Sequence, residues 1–177
     1  GRPLKLSLKG MALGPVVEET LSLLSETCAE RRISVETNLF EAGGGEKKEQ
    51  ILRCAQNVMA DYRHLKTCFL NVFLNAIQAM PEGGALRVEN AVSGGFATVK
   101  VHDTGCGISP ENIGRVFDPY FTTKDIGIGI GLALTKRVIE EHGGSISIVS
   151  ALNRGSTVCI SLPVSAALAP ACLPSRA

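Results

Sequence analysis

A chain of 177 residues with 45% hydrophobic content can bury about 70% of its unfolded surface in one core, so it needs no structural metal or disulfide. Its 18 basic and 17 acidic side chains are interspersed and nearly cancel, which excludes a polyanion-binding surface and with it nucleic acid as a partner. The six cysteines include no Cys-x-x-Cys pair and no apolar run is long enough to span a bilayer, so the expectation is a cytoplasmic domain with reduced thiols and no direct membrane contact.

The strict alternation Pro3-Leu4-Lys5-Leu6-Ser7-Leu8-Lys9 predicts a half-buried strand, and Pro15 marks a break before a helix. Val16, Val17, Thr20, Leu21, Leu23, Leu24 and Cys28 recur at helical spacing, with Glu18 and Glu19 in the first turn, where the helix dipole favours acids. A second strand is predicted over 33–40 and a solvated turn over 43–48. The stretch 50–60 reads as helix at first and then as a short strand in Asn57-Val58-Met59-Ala60. Asp61 caps a long helix reaching about Met80, whose buried stripe is Leu65, Cys68, Phe69, Val72, Phe73, Ala76 and Ala79. Asn71 and Asn75 are one turn apart at the edge of that stripe, where a ligand can meet both amides.

Segments 85–92 and 96–103 form a hairpin across Ser93-Gly94-Gly95. The second of these strands ends in Asp103 and turns at once into Thr104-Gly105-Cys106-Gly107, which delivers a carboxylate to a tight glycine turn. A short helix over 110–117, a loop over 122–130, a helix over 131–142 and a closing hairpin of 145–151 with 156–162 follow. Gly127, Gly129 and Gly131 alternate with isoleucines up to the last helix, so bare backbone amides meet a helix N-terminus, where a phosphate sits well. One domain over 1–163 is expected, and the Ala-, Pro- and Ser-rich tail over 164–177 is expected to be disordered. This order predicts an α+β fold, a two-layer α/β sandwich whose mixed, mainly antiparallel sheet is covered on one face by helices.

Five motifs in this order carry a family resemblance. They are Asn71-Val72-Phe73-Leu74-Asn75-Ala76, Asp103-Thr104-Gly105-Cys106-Gly107-Ile108, Phe117-Asp118-Pro119-Tyr120-Phe121-Thr122-Thr123-Lys124, Gly127 to Leu132, and Arg154-Gly155-Ser156-Thr157. With them the chain resembles the GHKL (Bergerat-fold) ATP-binding domains over residues 3–163. It is most similar to the catalytic domain of bacterial sensor histidine kinases, in the nitrogen-regulation-like branch.

That resemblance implies ATP and Mg²⁺ as ligands. The residue matching Asn75 supplies an oxygen to magnesium held by the ATP phosphates, and Asn71 shares its box. Asp103 accepts from the adenine amine, Gly105 and Gly107 leave room for the base, and Ile108 closes this box. Phe117, Tyr120 and Phe121, with Thr122, Thr123 and Lys124, form the hinge of a lid, Lys124 reaching a phosphate. Gly127, Gly129 and Gly131 supply phosphate-facing amides and Leu132 ends the box. Ser156 or Thr157 approaches the adenine, and the sequence does not choose between them.

Three departures from the family pattern stand out. Ile128 and Ile130 replace the common Thr and Leu, which adds β-branched bulk and removes a hydroxyl near the phosphates; the lid is only Asp125-Ile126 between Lys124 and Gly127; and Asn153 replaces a glycine.

His64 lacks the acidic neighbour of the family's phosphoacceptor, His102 sits in a strand and His142 belongs to a helix-ending His-Gly-Gly, so all three read as structural. The acceptor is therefore expected upstream, on a dimerising helical hairpin of the same parent protein, with a response regulator as the further partner. Two alternatives stand beside the histidine kinase reading. A clamp-driving GHKL ATPase usually carries a water-activating glutamate where Asn71 stands, and a non-enzymatic nucleotide sensor would not need magnesium-dependent binding.

Overall fold

The computed structural model describes residues 2–39, 57–123 and 127–165. In chain order the elements are β1 (Lys9–Ala12), α1 (Leu13–Leu23), α2 (Ser25–Glu30), β2 (Ile33–Asn38), β3 (Asn57–Ala60), α3 (Tyr62–Gln78), β4 (Gly84–Ser93), β5 (Phe96–Asp103), α4 (Pro110–Ile113), α5 (Gly131–Glu141), β6 (Ser145–Ser150) and β7 (Ser156–Pro163). The turn expected over 43–48 and the first part of the ambiguous stretch, 50–56, lie outside the described residues.

The main sheet has five strands in the order β2-β4-β5-β7-β6. Only the β2–β4 pair is parallel, so the sheet is mixed and mainly antiparallel as its alternating segments predict. Gly94 and Gly95 join β4 to β5 with φ of 59° and 80°, the left-handed angles of a two-residue hairpin turn. On β5 the residues Ala97, Val99, Val101 and Asp103 face inward and are buried, while Lys100 faces out and is exposed. Helix α3 lies against this inner face between α1 and α5. Phe69 and Phe73 on α3 are fully buried, with ring centroids 6.1 Å apart, and anchor the helical layer to the sheet.

Both ends of the long helices are built as their residues require. Asp61 Oδ1 accepts from the N–H groups of Arg63 at 3.1 Å and His64 at 3.2 Å, the N-cap that the sequence predicts for α3. Helix α5 ends in a Schellman turn: Gly143, at φ 76°, donates to the Glu140 carbonyl and Gly144 to the Ile139 carbonyl, each at 2.9 Å.

The alternation over 3–9 is realised as burial, with Leu4 and Leu6 half-buried, but not as a strand. Side chains of the helices capture its backbone instead: Leu4 N–H donates to Glu141 Oε2 and Ser7 N–H to Asp61 Oδ2, both at 2.8 Å. The strand starts at Lys9, where β3 offers a partner. Pro15 does not break the chain, because α1 starts at Leu13 and the first turn of a helix has no N–H bond to lose. Glu18 and Glu19 therefore stand in the second turn, and Glu19 instead accepts from Lys66 Nζ at 2.6 Å and from the Tyr62 hydroxyl, tying α1 to α3. The helix expected over 110–117 stops at Ile113, after which Arg115 and Asp118 N–H groups bond three residues back and the chain runs on as turns. Val164 and Ser165 continue past the expected domain edge, donating to the Gly95 and Asn57 carbonyls at 2.9 and 2.8 Å, and the rest of the tail lies outside the described residues.

Candidate functional site

Helix α3 sets the scale of the site. At Asn71 it touches the start of α5, where the amide Nδ2 donates to the Gly131 carbonyl at 3.3 Å and to Thr135 Oγ1 at 3.4 Å. Two turns later, at Ala79, its last carbonyl accepts from Cys106 N–H at 3.0 Å and so holds the turn that follows Asp103. Asn75 is midway. At 1.5 Å per residue the two contacts are about 12 Å apart, with Asn75 between them.

At the Asp103 end the carboxylate is buried at the tip of β5, and its Oδ1 accepts from Gly105 N–H at 2.9 Å. Burial pushes the Asp103 carboxyl above its ordinary range, against the opposing pull of the Gly105 and Ser156 N–H groups and the nearby His102. The glycines beside it also serve the packing of the chain. A side-chain carbon on Gly105 would stand 2.5 Å from the Ala79 carbonyl oxygen, and one on Gly107, at φ 66°, would overlap the Ala151 carbonyl. Their missing side chains therefore make room for the chain itself. Ile108, half-buried, donates its N–H to Ser150 Oγ at 2.9 Å, and Ser150 Oγ lies 2.8 Å from Ser156 Oγ.

The strand register separates the two hydroxyl candidates. Ser156 is opposite Asp103 and shares its face of the sheet. Thr157 is opposite His102 on the other face, with its Oγ1 2.8 Å from His102 Nδ1, and so is directed away from the buried carboxylate. Ser150, which knits both hairpins together, is a participant that its sequence context did not reveal.

At the α5 end the N-cap residue, Ile130, makes no side-chain cap of its own at the helix N-terminus. Leu132 packs partly against the core, and Gly127 is half-buried. Gly129, at φ 71°, accepts at its carbonyl from Tyr120 N–H at 2.9 Å, so the loop closes back on the Phe117–Phe121 turn. There Lys136 Nζ is 5.6 Å from the Phe117 ring centroid and the Arg115 guanidinium 4.5 Å from that of Phe121. An open depression of about 560 Å³ lies beside them, lined in part by Arg115, Asp118 and Thr122. Thr123, Tyr120 and Ile128 are exposed, and Lys124, Asp125 and Ile126 lie outside the described residues.

The histidines are held structurally. His142 is buried, accepting the Asp61 N–H at Nε2 and lying 2.7 Å from the Val138 carbonyl through Nδ1. His64 Nδ1 is 3.0 Å from Asp61 Oδ1, and His102 Nε2 is 3.6 Å from Glu89 Oε2. Among the described residues no helix is long and apolar enough to cross a membrane. Cys28 and Cys68 are buried free thiols, whereas Cys106 is exposed at the Asp103 turn.

Residues 60–166 match the model of the histidine kinase-, DNA gyrase B-, and HSP90-like ATPase family. The sensor histidine kinase ZraS of Escherichia coli (strain K12) is 32% identical over 163 residues, covering 92% of this chain and 32% of that protein. Sporulation kinase D of Bacillus subtilis (strain 168) is 45% identical over 103 residues, covering 58% of this chain and 20% of its own length. The nucleotide-free catalytic domain of histidine kinase ThkA superposes with a TM-score of 0.74 at 25% identity, covering 89% of this chain and 96% of that domain. The chain thus spans about a third of the length of ZraS. With its sheet order, its α3 contacts and its match over 60–166, this chain belongs to the histidine kinase-, DNA gyrase B-, and HSP90-like ATPase family.

Proposed function

We propose that this chain is the cytoplasmic ATP-binding catalytic unit of a sensor histidine kinase, which positions Mg-ATP for transfer of the γ-phosphoryl group to a histidine on a dimerising helical domain of its parent. A response regulator would then take the phosphoryl group. The observation that carries this reading is the spacing along α3. One helix fixes the buried Asp103 carboxylate at one end, the N-terminus of α5 at the other, and Asn75 between them.

Each group has a chemistry that suits a nucleoside triphosphate. Asp103, in its ionised form, accepts from the adenine amine, with Ser156 on the same face. The first amides of α5, together with Gly127, Gly129 and Gly131, donate to phosphate oxygens. Asn75 offers a hard amide oxygen, and no group of three or more His, Cys, Asp or Glu among the described residues competes as a metal site. Magnesium, when bound, neutralises phosphate charge. Phosphoryl transfer asks mainly for position and electrostatics, so a site without a nucleophile of its own is sufficient. Asn71 spends its amide nitrogen on α5 and is not a carboxylate, which leaves no general base one turn before Asn75 and disfavours the clamp-ATPase alternative.

The test is transfer in trans. The chain is mixed with γ-labelled ATP, magnesium and the histidine-bearing helical domain of its parent. Acid-labile label on that domain is the expected result. Steady ATP hydrolysis with no labelled domain would overturn the kinase assignment.

A further inference from the structure

Thr135 is wholly buried where α5 meets α3, although its side chain carries a hydroxyl. Its Oγ1 donates to the Gly131 carbonyl at 2.8 Å and accepts from Asn71 Nδ2 at 3.4 Å, while the same Asn71 nitrogen reaches Gly131 O at 3.3 Å. The three residues form a closed polar clasp between the two helices, beside the buried Cys68, whose Sγ lies 4.0 Å from the Thr135 carbonyl. Packing alone does not call for it, since valine has the same shape. Within a helix, a threonine hydroxyl bonded to the carbonyl four residues back is slightly unfavourable. Beyond that bond within the helix, the hydroxyl meets a group outside it, the Asn71 amide.

We propose that Thr135 is a positioning residue for the triphosphate: with Asn71 it locks the first turn of α5 against α3, at a set distance from Asn75, and touches neither nucleotide nor metal. This rests on the ATP-site reading above. The clasp is at the phosphate end of α3 and Asp103 is at the other, so its loss should affect the triphosphate and leave the base subsite alone.

The test titrates Mg-ATP and adenosine separately into the wild-type chain and into Thr135→Val, Thr135→Ser and Thr135→Ala, with a thermal melt of each. Loss of one neutral hydrogen-bonding group predicts Mg-ATP binding about three- to tenfold weaker for valine and alanine, near-normal binding for serine, and adenosine binding unchanged throughout. Stability should instead follow volume, with valine at or above wild type and serine below it. Serine and alanine both lose the methyl group, so their comparison stands even if the valine variant misfolds. Serine binding Mg-ATP as weakly as alanine, or adenosine affinity falling in step with that of Mg-ATP, overturns the proposal. A wild-type chain that binds no Mg-ATP overturns the ATP-site reading instead.

Discussion

The carbonyl oxygen of Asp103 occupies the place where a side-chain carbon on Gly155 would have to stand. Gly155 is also at φ 79°, so any substitution meets both a backbone overlap and an unfavourable angle. Gly155→Ala is expected to cost at least about 3 kcal/mol and to spread the β5–β7 pairing that carries Asp103. Gly94, at φ 59° with open space around it, is the control: Gly94→Asn should be tolerated within about 0.5 kcal/mol. Chemical denaturation of the two variants beside wild type checks both.

Asp103 gives a pH signature. Its carboxyl is raised in the folded state, chiefly by burial, so the native chain holds the proton more tightly than the unfolded chain. Stability of the nucleotide-free chain therefore falls as pH rises from the ordinary carboxylate range to the raised folded value, and the cost is fully present above it. Asp103→Asn should remove this slope and leave the free chain at least as stable at neutral pH. Thermal melts across the acid range measure the difference, and an unchanged slope would count against the burial argument.

Asp61 has the opposite sign. The Ser7 N–H holds its carboxyl well below the usual range; burial opposes this, and His64 contributes further lowering through its side chain and its backbone N–H. The stability it supplies is present above the unfolded carboxylate range and is lost as pH falls toward the depressed folded value. Asp61→Ala should lose about 1–2 kcal/mol as the α3 cap disappears, and should also release the 3–8 segment. Proteolysis near Lys5, faster in the variant than in wild type, reports that release.

Much of this arrangement is legible in the residues, and the limits have physical causes. The β4–β5 hairpin and α3 are found because one side of each is buried, which imposes periods of two and 3.6 on Val, Ala, Phe and Leu. The Asp61 cap and the glycine end of α5 are local signals and are read correctly. The 3–9 segment is misread because alternation reports which side chains are buried, not whether a strand partner exists, and here the partners are Asp61 and Glu141. That Gly105 and Gly107 also make room for the Ala79 and Ala151 carbonyls is not legible locally, because those carbonyls come from distant parts of the chain. Thr135 and Ser150 are invisible for the same reason: their importance lies in hydroxyl partners that only the packed fold supplies.

Asn75 predicts a metal dependence. In the wild-type chain, removing magnesium with a chelator should weaken ATP binding by about tenfold or more, the loss of an ionic interaction shared with the phosphates. Asn75→Ala should bind ATP weakly with or without magnesium, while adenosine binding stays as in wild type. Titrations in the presence and absence of the metal measure this, and a variant that retains the full magnesium effect would remove Asn75 from the site.

The central claim is that a buried carboxylate reads the purine, and it is met most directly by calorimetric titration of Mg-ATP and Mg-GTP into wild type and Asp103→Asn. The account predicts that wild type binds ATP and discriminates strongly against GTP, whose ring presents a carbonyl where adenine presents an amine. In Asp103→Asn, ATP affinity should fall by about 10- to 100-fold, the worth of a hydrogen bond to a charged group. Equal binding of the two nucleotides by wild type, or an Asp103→Asn variant that binds ATP undiminished, would contradict it.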